Sequence, residues 1–233
     1  MKRVLLLLAA GSLALSASVT TTKHNLSSTG TAKATDYTQV CKFCHHPHGA
    51  QVGNAQIIPL WGHMTSTAAQ SFPVYSSDTI KGTVSGLIND KTSGPTLACL
   101  SCHDGTVAVN ARFTYVDAAP GVTNRGTYGN IDAAQVSGAT FNITTDQQGR
   151  RLGTLVNAKN DLTSLHPVNV EYNTVKNPEL VPAATAVAAG VRLFNGGTTV
   201  HCASCHEPHG SANSMFLRVT STGSALCLAC HNK

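Results

Sequence analysis

The pattern Cys-x-x-Cys-His occurs four times in this chain and uses all eight of its cysteines. Two thiols separated by a short turn can form thioether bonds to the two vinyl groups of one porphyrin, and the following imidazole can bind the iron. The sequence therefore predicts four covalently attached haem c groups. The predicted attachment residues are Cys41, Cys44, Cys99, Cys102, Cys202, Cys205, Cys227 and Cys230. The predicted proximal iron ligands are His45, His103, His206 and His231.

Two other uses of paired cysteines fit the pattern less well. Cys-x-x-Cys pairs also bind structural zinc, and cysteines of exported proteins commonly form disulfide bonds. Neither use requires a histidine directly after the second cysteine, yet all four copies have one. Zinc and disulfides remain alternatives to haem at this point.

The N-terminus has the composition of a secretory signal. Two basic residues precede an apolar run at 4–10, and small residues follow as far as Ser18. This pattern predicts a signal peptide at residues 1–18 and an exported mature chain at 19–233. We expect a secreted protein that is extracellular or on the cell surface, with the periplasm as the alternative. No cysteine adjoins the cleavage site and no later stretch is apolar enough for a span, so we expect no membrane anchor.

The mature chain offers little material for an ordinary hydrophobic core. Aromatic residues make up 5% of the sequence and charged residues 12%. About 215 residues serve four predicted haems, roughly 54 for each, so the haem rings must form much of the core. We expect an irregular, haem-organised fold with little regular secondary structure, built from short helices and a few short strands. We also expect the chain to unfold without haem, as metal-organised domains do without metal.

The charge of the chain does not indicate a nucleic-acid partner. The formal net charge is +5, and loss of Lys2 and Arg3 with the signal peptide leaves 14 basic against 11 acidic residues. A nucleic-acid surface would need a basic cluster with interleaved aromatic residues, and the sequence has none. We therefore expect no nucleic-acid binding.

An internal repeat divides the chain into two haem pairs. The segment 41–50 resembles 202–211, because both read Cys-x-x-Cys-His-x-Pro-His-Gly followed by a small residue. The motif at 99–103 likewise resembles that at 227–231. We therefore predict one tetrahaem domain at 19–233, whose parts are a haem pair at 41–105, an insert at 106–165 and a haem pair at 166–233.

Short helices and strands are predicted at a few places between the motifs. One helix is predicted near 76–89, and another at 185–194 that ends at Gly196-Gly197. Short runs of β-branched and aromatic residues predict strands within the insert, at 107–109, 112–116 and 140–144.

Of the 11 histidines, seven remain as candidates for the second axial positions of the irons. His48 and His209 each follow a proximal histidine by three residues. Three residues cannot carry the chain around a porphyrin to its opposite face, so each of these histidines can bind only a neighbouring haem. The prolines before them fix the direction of the chain, and the glycines after them leave room beside a ring.

His63 and His166 are the other two predicted ligands. His63 follows an apolar run that can cover a ring, and His166 precedes a proline that favours extended backbone. His46 and His201 adjoin haem-binding residues and are interpreted as hydrogen-bonding or exposed side chains. Residues 19–40 are interpreted as an extended or irregular N-terminal arm, with His24 as a solvated side chain within it.

Two imidazoles on every iron would leave no coordination position open to a substrate. We therefore interpret the haems as electron carriers with low reduction potentials and do not predict an enzyme. A haem enzyme with an open iron position, such as a nitrite- or hydroxylamine-converting cytochrome, remains an alternative. No Cys-x-x-Cys-Lys variant occurs, which argues against the nitrite reductase type.

Several segments of the chain resemble the paired-haem multihaem cytochromes of metal-respiring microbes. These segments are the Cys-x-x-Cys-His-x-Pro-His-Gly units, Pro59-Leu60-Trp61, residues 99–105 and His166-Pro167-Val168. Four haem motifs after a plain signal peptide are similar to the tetrahaem members that polymerise into extracellular filaments, the cytochrome nanowires. The resemblance covers the haem units and their ligands but not the insert.

The resemblance implies four bis-His haems stacked in a continuous chain, with alternating parallel and T-shaped pairs. It also implies that the protein's main partners are copies of itself, joined by a histidine that crosses to a haem of the next subunit. By its position His48 is the candidate for that crossing, and its target is a C-terminal haem of the neighbour. Redox proteins or extracellular electron acceptors would be further partners. A soluble monomeric periplasmic tetrahaem shuttle is the alternative.

Overall fold

The computed structural model describes residues 18–25, 27, 29–30, 40–45, 61, 72–85, 94–103, 162–210 and 212–232. The predicted strands of the insert lie outside the described residues, as do His46, His48 and His63. Most of the predicted signal peptide also lies outside them.

The helices of the described segments are short. They are α1 at Gly94–His103, α2 at Ala183–Ala188, α3 at Cys202–Cys205 and α4 at Ala225–Leu228. Short 3-10 turns occur at Val19–Thr21, Val40–Phe43, Ser214–Phe216 and Thr222–Ser224. Within the described segments, no helix is long and apolar enough to cross a membrane.

The two strands of the described segments form one small antiparallel sheet. Strand β1, Val170–Glu171, pairs with β2, Thr199–Val200. Val84 extends this pairing on the other side of β1 through a single bridge to Val170. The sheet therefore joins a segment before the insert to two segments after it.

The helix predicted near 76–89 is not formed in the described part of that range, residues 76–85. This segment has a turn at 78–79 and a β-bridge at Val84. The amide of Glu171 donates to the Thr83 carbonyl at 2.9 Å, and the amide of Ser85 donates to the Asn169 carbonyl at 3.1 Å. A Cβ on Gly82 would lie 2.8 Å from the Glu171 carbonyl oxygen, so this close approach requires glycine. Pairing with distant backbone therefore replaces the local helical hydrogen bonds.

The helix predicted at 185–194 is α2, and it ends at Ala188 rather than before Gly196-Gly197. Gly190 adopts a left-handed conformation with φ +101°. The Gly190 amide donates to the Val187 carbonyl, and the Val191 amide donates to the Ala186 carbonyl. This is the hydrogen-bond pattern of a Schellman cap. The first glycine after the alanine run therefore ends the helix.

Two small apolar clusters take the place of a single large core in the described segments. The first cluster packs Leu97 and Leu100 of α1 against Phe72, before the helix, and against Leu162, near the end of the insert. The second cluster packs the sheet against α2 through Val170, Tyr172, Ala186 and Val200. Both clusters lie beside Cys-x-x-Cys-His motifs, so apolar burial here serves to position the motifs.

The last motif is attached to the second cluster by hydrogen bonds. The buried Tyr172 hydroxyl donates to the Val181 carbonyl at 2.7 Å, and the Val181 amide donates to the Cys230 carbonyl at 2.9 Å. Leu180 forms a β-bridge with His231. The fourth motif therefore lies against the segment that leads into α2.

Candidate functional site

Each Cys-x-x-Cys-His motif occupies a helical turn, and we number the motifs 1 to 4 in chain order. The amide of the motif histidine donates to the carbonyl of the first cysteine in motif 1 at 2.9 Å, in motif 3 at 3.1 Å and in motif 4 at 2.9 Å. Motif 2 is the last turn of α1, which ends at His103. Residues three and four apart in a helical turn share one face, so both cysteines and the histidine are presented together.

Motifs 2 and 3 are in direct contact through α1 and α3. The Thr96 hydroxyl lies 2.8 Å from His201 Nδ1, and both side chains are fully buried. A hydrogen bond with Cys99 lowers the pKa of the Cys202 thiol, which places the first thiols of the two motifs side by side. The two attachment turns therefore lie next to each other.

His201 belongs to this contact. Its amide donates to the Ser204 hydroxyl at 2.9 Å at the start of α3, and its ring meets Phe194 edge to face at 5.4 Å between centroids. The side chain is thus hydrogen-bonded within the protein interior, beside the motif and away from solvent.

Three of the motif histidines lie opposite a second histidine ring. The centroid distance is 6.1 Å for His103 and His24, 6.1 Å for His45 and His209, and 6.3 Å for His231 and His166. A metal ion bound by two imidazole nitrogens at about 2 Å from each would place the ring centres about 6 Å apart. These three pairs therefore fit an iron between the rings.

The hydrogen bonds of four rings leave the same nitrogen available for a metal. Nδ1 lies 2.9 to 3.0 Å from an oxygen acceptor in His24, His166, His206 and His209. The acceptors are the carbonyls of Pro208, Pro167 and Met215 and the carboxylate of Glu207, in that order. A carbonyl or carboxylate oxygen requires an N–H donor, so Nδ1 carries the proton and Nε2 presents its lone pair. This tautomer is the one that an outer hydrogen bond fixes in metal-ligating histidines.

Glu207 differs from the other three acceptors because it carries charge. Its second carboxylate oxygen forms an ion pair with Arg218 at 2.7 Å. Burial raises the pKa of Glu207, but hydrogen bonds from His209 and the charge of Arg218 outweigh it and leave the pKa below its usual value. The His209 ring therefore donates to an ionised carboxylate.

The structure differs from the interpretation of His24 as a solvated side chain. The His24 ring is partly buried and stacks on Phe216 with a centroid distance of 4.5 Å and an interplanar angle of 20°. Nothing in the sequence around His24 resembles a ligand motif, and only the count of spare histidines points to it. His209 and His166 lie opposite the rings of motifs 1 and 4, whereas no described imidazole lies opposite His206 in this way.

Zinc and disulfide arrangements are not present in the described part of the chain. The seven cysteines whose side chains are described form no disulfide bond. Within the same segments, no three His, Cys, Asp or Glu side chains come together in a group that could hold a metal ion. A haem iron needs only one or two protein ligands, because the porphyrin supplies four nitrogens.

Comparison with known proteins agrees with the haem interpretation. A family model described as a doubled CXXCH motif matches residues 194–233, which contain motifs 3 and 4. No curated protein matches the chain. The family match supports a multihaem c-type cytochrome with covalently bound haem c, in which electron transfer rather than catalysis is the suggested role.

Replacing Thr96 by Val tests the buried contact between motifs 2 and 3. The substitution keeps the shape of residue 96 but removes the hydroxyl next to His201 Nδ1. We expect the free energy of unfolding of the haem-loaded protein to fall by about 1–3 kcal/mol, because a buried polar atom loses its partner. Urea unfolding followed by circular dichroism measures the change.

The matched control is Thr185→Val, at an exposed position of α2. The control is expected to leave stability within about 0.5 kcal/mol of the wild type. Both variants should keep the visible spectrum of the parent protein. A Thr96→Val protein with unchanged stability, or with an altered haem spectrum, would contradict the structural role of His201.

Proposed function

We propose that this chain is a tetrahaem bis-His c-type cytochrome that carries electrons and polymerises into an extracellular filament conducting along stacked haems. The main support is the 6.1–6.3 Å spacing of three histidine ring pairs, each containing one motif histidine. A haem iron with an imidazole on each face has no position left for a substrate. Such an iron accepts and donates electrons without binding a reactant.

Haems 1 to 4, numbered as their motifs, are attached through the two cysteines of each motif. The motif histidine is the proximal ligand in every case. The second ligand of haem 1 is His209, and that of haem 4 is His166. When bound, haem supplies one-electron redox chemistry, and the protein sets its environment through axial ligands, burial and hydrogen bonds.

Contacts between motifs support close spacing of the haems. The ring of His209 lies opposite His45, although His209 follows the proximal histidine of motif 3 by three residues. Haems 1 and 3 are therefore neighbours in this proposal. The contact of α1 with α3 makes haems 2 and 3 neighbours as well, because the first thiols of their motifs lie side by side.

The fourth motif completes this arrangement. Cys230 packs against the apolar cluster that contains Val200, which lies two residues before Cys202. Motifs 3 and 4 therefore adjoin the same cluster. In the proposal, haem 3 is the centre of the four-haem group and has haems 1, 2 and 4 around it.

Haem 3 is the proposed point of contact between subunits. His48 of a neighbouring subunit is proposed as its second ligand, and His63 of the same chain is the alternative. A ligand crossing between chains would link copies into a filament through repeated head-to-tail contacts. Export through the predicted signal peptide at residues 1–18 would place the filament outside the cell. A soluble monomeric shuttle in the periplasm is the competing proposal.

The spin state of the irons tests the electron-transfer proposal. We expect the alkaline pyridine spectrum to give four haems per chain and the oxidised protein to show only low-spin signals by visible and EPR spectroscopy. Two strong nitrogen ligands on each iron produce that state. A high-spin signal from a pentacoordinate or water-bound haem in assembled wild-type filaments would overturn the proposal and favour an enzyme.

The His48→Ala variant tests polymerisation, with negative-stain microscopy of the secreted fraction as the measurement. We expect filaments from the wild type, and soluble monomers with one high-spin haem from the variant, because haem 3 loses its ligand. The adjacent His46→Ala substitution is the matched control and should still form filaments.

Two results would contradict this proposal, the first at the role of His48 and the second at polymerisation itself. Intact filaments from His48→Ala would exclude His48 as the crossing ligand. Only monomers in the wild-type secreted fraction, with four low-spin haems, would favour the soluble shuttle.

A further inference from the structure

We infer that His24, in the N-terminal arm, is the second axial ligand of haem 2. This inference rests on the proposed function, because it takes the haem at Cys99 and Cys102 to be bis-His ligated. The sequence offers no motif for this role. The geometry around the His24 ring carries the assignment in three independent ways.

The first observation is the position of the ring. His24 lies opposite His103 with a centroid distance of 6.1 Å, which matches the pairs formed by His45 and His231 with their partners. The interplanar angle is 57°. Two axial rings can rotate relative to each other about the line through the iron, so this angle is compatible with ligation.

The second observation is the orientation of the ring. His24 Nδ1 lies 2.9 Å from the Pro208 carbonyl, so it donates its proton there and leaves Nε2 for the iron. The face of the ring stacks on Phe216 at 4.5 Å. Met215 and Phe216 both have positive φ, at 55° and 60°. The surrounding structure holds this uncommon backbone conformation in place. The conformation presents the Phe216 ring to the face of His24.

The third observation is that buried side-chain hydrogen bonds fix the conformation of the arm next to His24. Asn25 is fully buried. Its side-chain Nδ2 donates to the Thr20 carbonyl at 2.7 Å, and its side-chain Oδ1 accepts from the Ser27 hydroxyl at 2.6 Å. A Cβ on Gly30 would overlap the Asn25 carbonyl oxygen, so the chain closes tightly around this residue. The residue directly after His24 is therefore fixed, as a metal ligand requires.

With His24 on haem 2, three of the four haems have a proposed second ligand among the described residues. His209, His24 and His166 serve haems 1, 2 and 4, so haem 3 is the one whose proposed second ligand is His48 or His63. In this proposal His24 and motif 2 meet at one iron, and Pro208 and Phe216 hold the His24 ring in place. The arm thereby becomes part of the haem-binding fold.

The experiment compares haem-loaded wild type and His24→Gly by EPR and visible spectroscopy. We expect one of the four haems to change from low spin to high spin and the other three to stay low spin. Added imidazole should return that haem to low spin, because the glycine leaves space for a free ligand. Lys23→Ala, at the exposed neighbouring residue, is the matched control and should match the wild type.

The outcomes separate this inference from the proposed function. A His24→Gly protein with four low-spin haems would overturn the role of His24 and leave the tetrahaem proposal intact. A high-spin haem already present in the wild type would refute the proposed function instead. A variant too unstable to isolate is replaced by His24→Met, for which an Fe–S charge-transfer band on one haem supports ligation at this position and its absence contradicts it.

A different observation supports a second inference, that Glu207 lowers the reduction potential of haem 1. The Nδ1 atoms of His24, His166 and His206 donate to neutral carbonyls, whereas that of His209 donates to a carboxylate oxygen at 3.0 Å. An anionic acceptor makes the imidazole a stronger electron donor, and this stabilises the oxidised iron. This role also rests on the proposed function.

Spectroelectrochemical titration of Glu207→Gln tests this role. We expect one of the four potentials to rise while the spectrum stays low spin. Asp78→Asn, at an exposed carboxylate, is the matched control and should leave all four potentials unchanged. Four unchanged potentials in Glu207→Gln would overturn the inference. Loss of low-spin character on one haem would show instead that Glu207 only positions the ring.

Discussion

The structure depends on one local constraint, the helical turn that places two cysteines and a histidine on the same face. The hydrogen bond from the histidine amide to the first cysteine carbonyl recurs in motifs 1, 3 and 4. This turn determines one side of each proposed haem and leaves the other side to be supplied from elsewhere in the chain. The second rings come from His24, His166 and His209, each remote in sequence from the histidine that it faces. In the proposed holoprotein, long-range order thus follows from completing the coordination of each iron.

In its described segments, the polypeptide itself has little apolar packing beyond what holds the motifs and their facing histidines in place. The described apolar clusters are small, and the paired strands are two residues long. Several important contacts are instead polar and buried, such as Thr96 with His201 and the enclosed amide of Asn25. Buried polar groups are costly unless they are fully paired, so these contacts favour one arrangement over its alternatives. The first lies between motifs 2 and 3 and the second adjoins His24, so both hold rings or attachment turns that the proposed holoprotein needs in fixed positions.

Sequence reasoning predicts the haem attachment residues because their spacing is chemically specific, and the family match covers two of the four motifs. It also limited His209 to a neighbouring haem, since three residues cannot pass around a porphyrin. It missed the packing of His24, because a ring that faces a distant motif has no local pattern and is defined only by the folded chain. It placed a helix near 76–89, but pairing of Thr83 and Ser85 with Glu171 and Asn169 replaces a helix in the described part of that range. It also extended α2 too far, because the left-handed Gly190 ends the helix before the predicted glycine pair.

The contact of His24 with Pro208 and Phe216 has a consequence for local unfolding. The His24 ring is held by a carbonyl that lies 184 residues further along the chain. Local opening around Pro208 and Phe216 would therefore release the arm as well, although the two segments are remote in sequence. A released arm is open to proteolysis, so cleavage near His24 would report on the integrity of this distant segment.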